Sequence, residues 1–291
     1  MPAAHLADRG VVKVAGDDAR HFLHNLVTSD VARLDAGAAR LAALLSPQGK
    51  ILFDFLVVAA PESHGGGFLL DAPLPLVGDL VKRLNFYKLR AKVIVEDLSE
   101  VLAVAAFWDM PGTPGDDFGL VFADPRLSAL GQRAIGERMR IEALGTEAGP
   151  LYHARRIALG VPEGGKDFAY GDAFPHEALM DALGGVDFGK GCYVGQEVVS
   201  RMQHRGTART RILPVVFRDG FVCEDGAEVL AGAKPAGHVG STANGRALAM
   251  LRLDRLADAF AAGEAITAGG LALIVEKPAF AQFEVPAPAE A

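Results

Sequence analysis

Gly189-Lys190-Gly191-Cys192-Tyr193-Val194-Gly195-Gln196-Glu197 is the stretch on which the reading of this chain turns. It sets three glycines beside a thiol, an ammonium, a phenol, an amide and a carboxylate. Glycines at this density permit backbone conformations closed to other residues, so a shaped turn is predicted. A helix should follow, because Val194, Val198 and Met202 recur at helical spacing on one face. Glu197 and Arg201 share that spacing and can pair on the helix surface. Cys192 then falls at or just before a helix N-terminus, two residues from Lys190, and both surroundings favour thiolate over thiol. A free cysteine is commonly an inert, buried side chain; the crowding of polar groups around Cys192 argues for a working one.

The rest of the chain bounds what such a thiol can do. With 291 residues the chain suits two or three domains. Half of it is hydrophobic and 22% is charged, an ordinary globular composition. The net charge of −7 excludes a molecule built to coat nucleic acid, so any basic surface must be local. The only cysteines are Cys192 and Cys223, which is no disulfide framework and fits a reducing compartment. There is no CxxC or HExxH spacing, and two thiols do not hold an iron–sulfur cluster alone. Cys223 lies in the strand-like run Gly220-Phe-Val-Cys-Glu224 and reads as structural. The N-terminus lacks a basic segment followed by an apolar one, and no apolar run approaches the about 20 residues of a membrane span. The expectation is a cytoplasmic protein, monomeric, with no membrane partner.

Taken in order, residues 10–15 read as a strand, and Gly16-Asp17-Asp18 as a turn and cap for a helix over 19–27 with Phe22, Leu23 and Leu26 inward. A strand over 41–45 and a turn at Ser46-Pro-Gln-Gly49 lead to a long apolar strand over 50–59, broken by the carboxylate of Asp54. An acid within such a run is costly unless paired or functional. Then come a hairpin at 64–67, a helix over 73–89, strands over 92–97 and 101–108, a Pro/Gly loop, a strand over 118–123, a helix over 127–135 and a strand over 138–142. From 50 to 143 this is the count of a ferredoxin-like layer. A linker at 145–150, a helix over 151–159 and a short helix from Phe174 precede the motif. Beyond Arg211, short strands over 212–217, 227–230, 238–242, 247–251 and 271–275 with glycine turns suggest a small β-barrel. The Pro/Ala-rich stretch 281–291 is expected to fray.

The string Lys190-Gly-Cys-Tyr-Val-Gly-Gln-Glu197 resembles the signature of the YgfZ-type folate-binding proteins. These are a branch of the glycine-cleavage T-protein, or aminomethyltransferase, superfamily, and a mitochondrial iron–sulfur assembly factor belongs to the same branch. The opening Gly16-Asp-Asp-Ala-Arg-His-Phe-Leu…Val27-Thr-Ser-Asp-Val31, the segment Tyr87-Lys-Leu-Arg-Ala-Lys-Val93 and the late Leu251-Arg-Leu-Asp-Arg-Leu256 are similar to the family too. The resemblance implies an α+β fold: a T-protein-like three-unit ring with ferredoxin-like layers and a C-terminal β-barrel. The corresponding domains are 1–48 with 145–206, then 49–144, then 207–280, followed by the tail 281–291. It also implies tetrahydrofolate as the ligand, bound between the units, and a role as an accessory factor, not an enzyme. That role is the assembly or repair of iron–sulfur enzymes, including those that modify tRNA.

Carried onto single residues, the resemblance makes Cys192 the working nucleophile or redox group and Lys190 its electrostatic activator, with Tyr193, Gln196, Glu197 and Arg201 shaping the site. Asp54 falls where T-proteins carry paired acids facing the folate nitrogens; the preceding Phe53 leaves one acid and argues against aminomethyl transfer. Tyr152 falls where relatives carry an aromatic on which a pterin can stack, and Tyr87 with Arg90 faces the same channel. Ala158 stands where relatives have an acid for the pterin's amine edge. Each has a plainer alternative: a paired edge-strand acid for Asp54, a core aromatic for Tyr152, a surface helix end for Tyr87. Between Arg201 and Arg211 four arginines and His204 gather. They would suit a polyglutamate tail, an acidic partner or an RNA phosphate, or form a solvated face. The partners implied are folate and iron–sulfur clients or assembly proteins. The rivals are a folate-dependent aminomethyltransferase and an RNA-binding module built on those arginines.

Overall fold

The computed structural model describes residues 2–206, 208–218 and 220–288. It divides into two compact units, one of residues 1–152 with 183–197, the other of 153–182 with 198–291.

The first unit is built on two sheets. In chain order its elements are β1 (Ala3–His5), β2 (Arg9–Ala15), α1 (Ala19–Leu26), β3 (Ala39–Leu45), β4 (Ile51–Ala59), β5 (Phe68–Pro73), α2 (Val77–Lys88), β6 (Ile94–Asp97), β7 (Leu102–Phe107), β8 (Leu120–Ala123), β9 (Gln132–Glu137) and α3 (Arg138–Glu142). One sheet runs β3-β4-β5-β2-β6 and the other β1-β7-β9-β8, every described pairing antiparallel. The expected boundary between 48 and 49 falls inside the β3–β4 hairpin, with Leu44 opposite Phe53 and Ala43 opposite Asp54. Alternation along β4 turns Phe53, Phe55, Val57 and Ala59 into one core, where they meet Phe22, Leu23 and Leu26 of α1 and Leu80 and Leu84 of α2.

Several local expectations change here. Residues 138–142 form α3, not a strand, and 132–137 form β9 where a helix was expected, leaving only a 3₁₀ turn over Ser128–Leu130. Asp18 does not cap α1 with its side chain; its carboxylate accepts the Lys92 N–H at 2.8 Å. Asp54 lies opposite Ala43 of β3, on the part of β4 that precedes its described pairing with β5 at Leu56–Ala59.

A buried ion network lies within this unit. Arg9 Nε donates to Asp71 Oδ1 at 2.6 Å, and Arg133 donates from Nη1 to Asp71 Oδ2 and from Nε to Asp124 Oδ2. Arg126 grips both oxygens of Asp124, at 2.9 and 2.7 Å. Burial opposes charge on Asp124, but Arg126 and Arg133 outweigh it and hold the carboxyl well below the usual range.

The helices α4 (Gly149–Leu159) and α5 (Gln196–Arg205) are followed by β10 (Thr210–Phe217), β11 (Glu228–Ala231), β12 (Lys234–Ala243), β13 (Arg246–Arg252), α6 (Leu253–Ala261), β14 (Ile266–Ala268) and β15 (Leu271–Val275). The strands close into a six-stranded barrel, β10-β13-β12-β11-β14-β15, as the spacing of short strands predicted. Closure removes both sheet edges. β14 and α6 were not anticipated, the run at Cys223 is not a strand, and no helix forms at Phe174. Phe283 and Val285 pack on the barrel core, so that part of the tail is anchored; residues 289–291, also expected to fray, lie outside the described residues. Within this unit Arg156, 1% exposed, donates to Asp167 Oδ2 at 2.7 Å and to Ser241 Oγ at 2.6 Å, tying the segment after α4 to β12.

Candidate functional site

The motif forms a loop over 189–195 that leads into α5. Three ties hold it within the first unit. Asp187 Oδ1 accepts the N–H groups of Gly189 at 2.8 Å and Lys190 at 3.1 Å, a turn closed by a side chain. Upstream, Thr28 donates its hydroxyl to Gly185 O at 2.6 Å, and its carbonyl accepts the Asp187 N–H at 2.9 Å. At the far end Gly195 has φ +81°, and a Cβ there would stand 2.5 Å from Ser46 O and 3.0 Å from Gly49 Cα in the β3–β4 turn. Of the motif's glycines only Gly195 needs left-handed backbone; Gly189 and Gly191 are not at positive φ.

The third tie is Lys190. Its ammonium donates to His24 O at 2.5 Å, Val27 O at 2.6 Å and Ser29 O at 3.2 Å. His24 lies in the last turn of α1 and Val27 is its C-cap. Lys190 therefore caps that helix, filling carbonyls that have no partner within it and setting a cation at its negative end. Burial pushes the ammonium down to about 8, against the pull of Asp30 and Asp187. Tyr193 packs beside it, ring centroid 5.2 Å from Lys190 Nζ. The phenol is 7% exposed, its hydroxyl meets no partner among the described residues, and burial, helped by Asp187, pushes it up to about 12.

Next to this loop lies a cleft of about 330 Å³ lined by His24, Asp30, Arg33, Asp187, Lys190 and Gly191. His24 Nδ1 stands 3.1 Å from Asp30 Oδ1. Burial, and then Lys190, keep His24 from protonating at its ordinary pH. Burial also works against the Asp30 carboxylate, but the Ala32 N–H and the neighbouring His24 and Arg33 hold it below its usual value. Gly191 is the last residue of that lining, and the next side chain, Cys192, is exposed.

The other expected site residues scatter. Gln196 opens α5 half-buried, Glu197 and Arg201 are exposed on it, and the helix begins after Val194, so Cys192 stands four residues before its start. Asp54 is half-buried on β4. Tyr87 lines a different cleft, of about 370 Å³, with Asp18, His21 and Asn25. Tyr152 offers no open face: it is 1% exposed, its hydroxyl accepts from Arg126 at 2.9 Å and Arg133 at 2.7 Å, and Trp108 packs 5.9 Å away. It is a core aromatic that completes the ion network. Lys190 is likewise a helix cap, its three protons donated to backbone carbonyls. The arginine cluster loses Arg211, which is 6% exposed and donates to Asp181 Oδ1 at 2.7 Å; Arg201, Arg205 and Arg209 remain exposed, and Thr207 lies outside the described residues. Asp187, Thr28, His24 and Asp30 were missed as site residues, although the polar run Thr28-Ser29-Asp30 at a helix end was the available signal.

The sheets and the closed barrel have a T-protein-like fold. The glycine cleavage system aminomethyltransferase T of Bartonella henselae superposes with a TM-score of 0.74, covering 96% of this chain and 86% of that one; at 17% identity the likeness is one of fold. A family model described as the CAF17 C-terminal beta-barrel domain matches residues 209–283. The mitochondrial iron–sulfur cluster assembly factor IBA57 homolog of Pyricularia oryzae is 31% identical, the match covering 89% of this chain and 74% of that one. Its counterpart in Mycosarcoma maydis is 36% identical over 74% of this chain, a match spanning 57% of the relative's own length. The chain belongs to the IBA57 family of iron–sulfur cluster assembly factors, related to the YgfZ-type proteins that its motif resembles. The expectation of a cytoplasmic protein is overturned, because these relatives are named as mitochondrial.

Proposed function

We propose that this protein assists iron–sulfur cluster assembly through the thiol of Cys192, presented to a cluster or to a cluster-bearing partner. The observation that carries this reading is an exposed cysteine on a loop tied down on both sides, by Asp187 and Lys190 before it and Gly195 after it. Thiolates are the ordinary ligands of iron–sulfur clusters, which take about four. This chain has two cysteines, so any cluster that Cys192 touches draws its remaining ligands from the partner. The cluster is cargo and not a resident group. In a strain lacking the protein, Cys192→Ser should fail to restore iron–sulfur enzyme activity while the purified variant melts like the parent; Cys223→Ser should restore it. Full restoration by Cys192→Ser would refute the assignment. Clients that modify tRNA belong to the same reading, and are tested by the level of cluster-dependent tRNA modification in that strain.

Tetrahydrofolate is the small ligand we attach to this reading, supported by the likeness of fold. The residues fit it only in part. Asp54 is the acid available to a folate nitrogen, whereas Tyr152 is closed off in the core and Ala158 has no carboxylate. No step is assigned to folate. Titration of the full chain with tetrahydrofolate, followed by tyrosine and tryptophan fluorescence, should saturate and weaken in Asp54→Asn. A flat titration removes folate and leaves the role of Cys192 standing. Aminomethyl transfer is the weaker reading, because Phe53 is a core residue where a second acid would stand.

A further inference from the structure

Between Asp79 and Glu96 the chain carries no acid, yet it has Lys82, Arg83, Lys88, Arg90 and Lys92, in a protein of net charge −7. These cations gather on α2 and the turn that follows it. Lys82 meets Asp79 at 3.0 Å and Lys92 meets Asp17 at 3.4 Å, both in open solvent; Arg83, Lys88 and Arg90 have no side-chain partner among the described residues. Val77, Leu80 and Leu84 point the inner face of α2 into the core. Helical periodicity puts Lys82, Arg83 and Phe86 on the opposite face. There Phe86 is 72% and Leu89, just past the helix end, 89% exposed; Ile94 at the start of β6 is 57% exposed. Leu89 also sits at φ +45°, ψ −106°, a conformation glycine tolerates and leucine resists. Leu89 thus holds an apolar side chain out in solvent on a strained backbone.

Against the expectation of no membrane partner, we propose that this helix end docks the protein onto an anionic lipid surface without crossing it. Phe86 and Leu89 enter the headgroup zone while Arg83, Lys88 and Arg90 reach the lipid phosphates. The two apolar tips protrude, so they suit a yielding interface that closes around them. The Phe86 ring meets that of half-buried Tyr87 edge-on at 5.7 Å, and the two do not form a stacked platform for nucleic-acid bases. The negative charge elsewhere on the molecule does not prevent docking, since at physiological salt charges beyond about 8 Å are screened, and each basic side chain near an anionic surface adds attraction.

The test is co-sedimentation of the full chain with vesicles of phosphatidylcholine alone, and of phosphatidylcholine mixed in equal parts with phosphatidylglycerol. Binding is expected only to the anionic vesicles and should weaken with salt. The triple change Arg83→Gln, Lys88→Gln, Arg90→Gln should lower affinity about a hundredfold, and Phe86→Ser about tenfold. Leu89→Gly separates docking from folding: it should weaken vesicle binding without lowering the melting temperature, because it relieves the backbone while removing the side chain. The proposal fails if anionic vesicles leave the protein in solution, or if binding survives both Phe86→Ser and Leu89→Gly. It fails equally if the variants impair the protein in cells while the parent binds no vesicles, a result that would assign the face to a protein partner.

Discussion

Lys190 sits in the motif for a reason its neighbours in sequence do not supply. Its charge answers α1, and the titration of that charge is measurable. The folded group releases its proton near 8, whereas the unfolded side chain does so at its ordinary 10.5. Between these values the folded state binds fewer protons, so stability from this group is lowest below pH 8 and rises toward pH 10.5. Tyr193 acts in the opposite direction but higher: its neutral form is favoured by folding, and that contribution is lost only as pH climbs from 10 toward about 12. Urea denaturation of the parent at about pH 7.5 and about pH 9.5 should show the rise, and Lys190→Met should abolish it. Gly195 makes a second residue-scale test. Gly195→Ala combines left-handed backbone with a Cβ against Ser46 O, and should cost at least about 2 kcal/mol in denaturant melts. It should also disorder the Cys192 loop, seen as faster alkylation of that thiol. The presence of a shaped turn was legible from glycine density; which glycine shapes it was not, because that depends on Ser46 and Gly49, far away in the chain.

Elements were legible to the degree that their periodicity was strong. β4, α1, α2 and most barrel strands lie where alternation or helical spacing put them. β9 and α3 exchanged identities because both segments are short and their registers are decided by partners, β7 and β8 in the case of β9. Tyr152 shows the same effect at the level of one side chain: an aromatic that reads equally as stacking surface or core became core once Arg126 and Arg133 converged on its hydroxyl. Arg133 bridges Asp71 of β5 and Asp124, which follows β8. Removing one partner from a buried pair leaves the other charge stranded, so Asp71→Ala should destabilise by about 3–5 kcal/mol in thermal or denaturant unfolding. In the barrel, Gly237 lies so near the carbonyl of Met250 on β13 that a Cβ would overlap it. Gly237→Ala should separate β12 from β13 and raise amide exchange along both strands while the first unit keeps its protection.

At the scale of the whole molecule, the claim to check is that one exposed thiol serves assembly while the fold stays intact when it is changed. Cys192→Ser should leave the unfolding midpoint within about 0.5 kcal/mol of the parent, as an exposed surface change does, and still abolish support of iron–sulfur enzymes. The chain's own residues determined the α+β class, the closed barrel after Arg211 and the motif around Cys192, because alternation, glycine turns and local composition act over a few residues and need no distant partner. Tertiary structure alone decided that Lys190 caps α1, that Tyr152 and Arg211 are buried, and that Thr28 anchors the segment leading into the cysteine loop. Each of these depends on groups separated by tens to more than a hundred positions meeting within hydrogen-bond reach, and no pattern confined to one stretch of sequence encodes such a meeting.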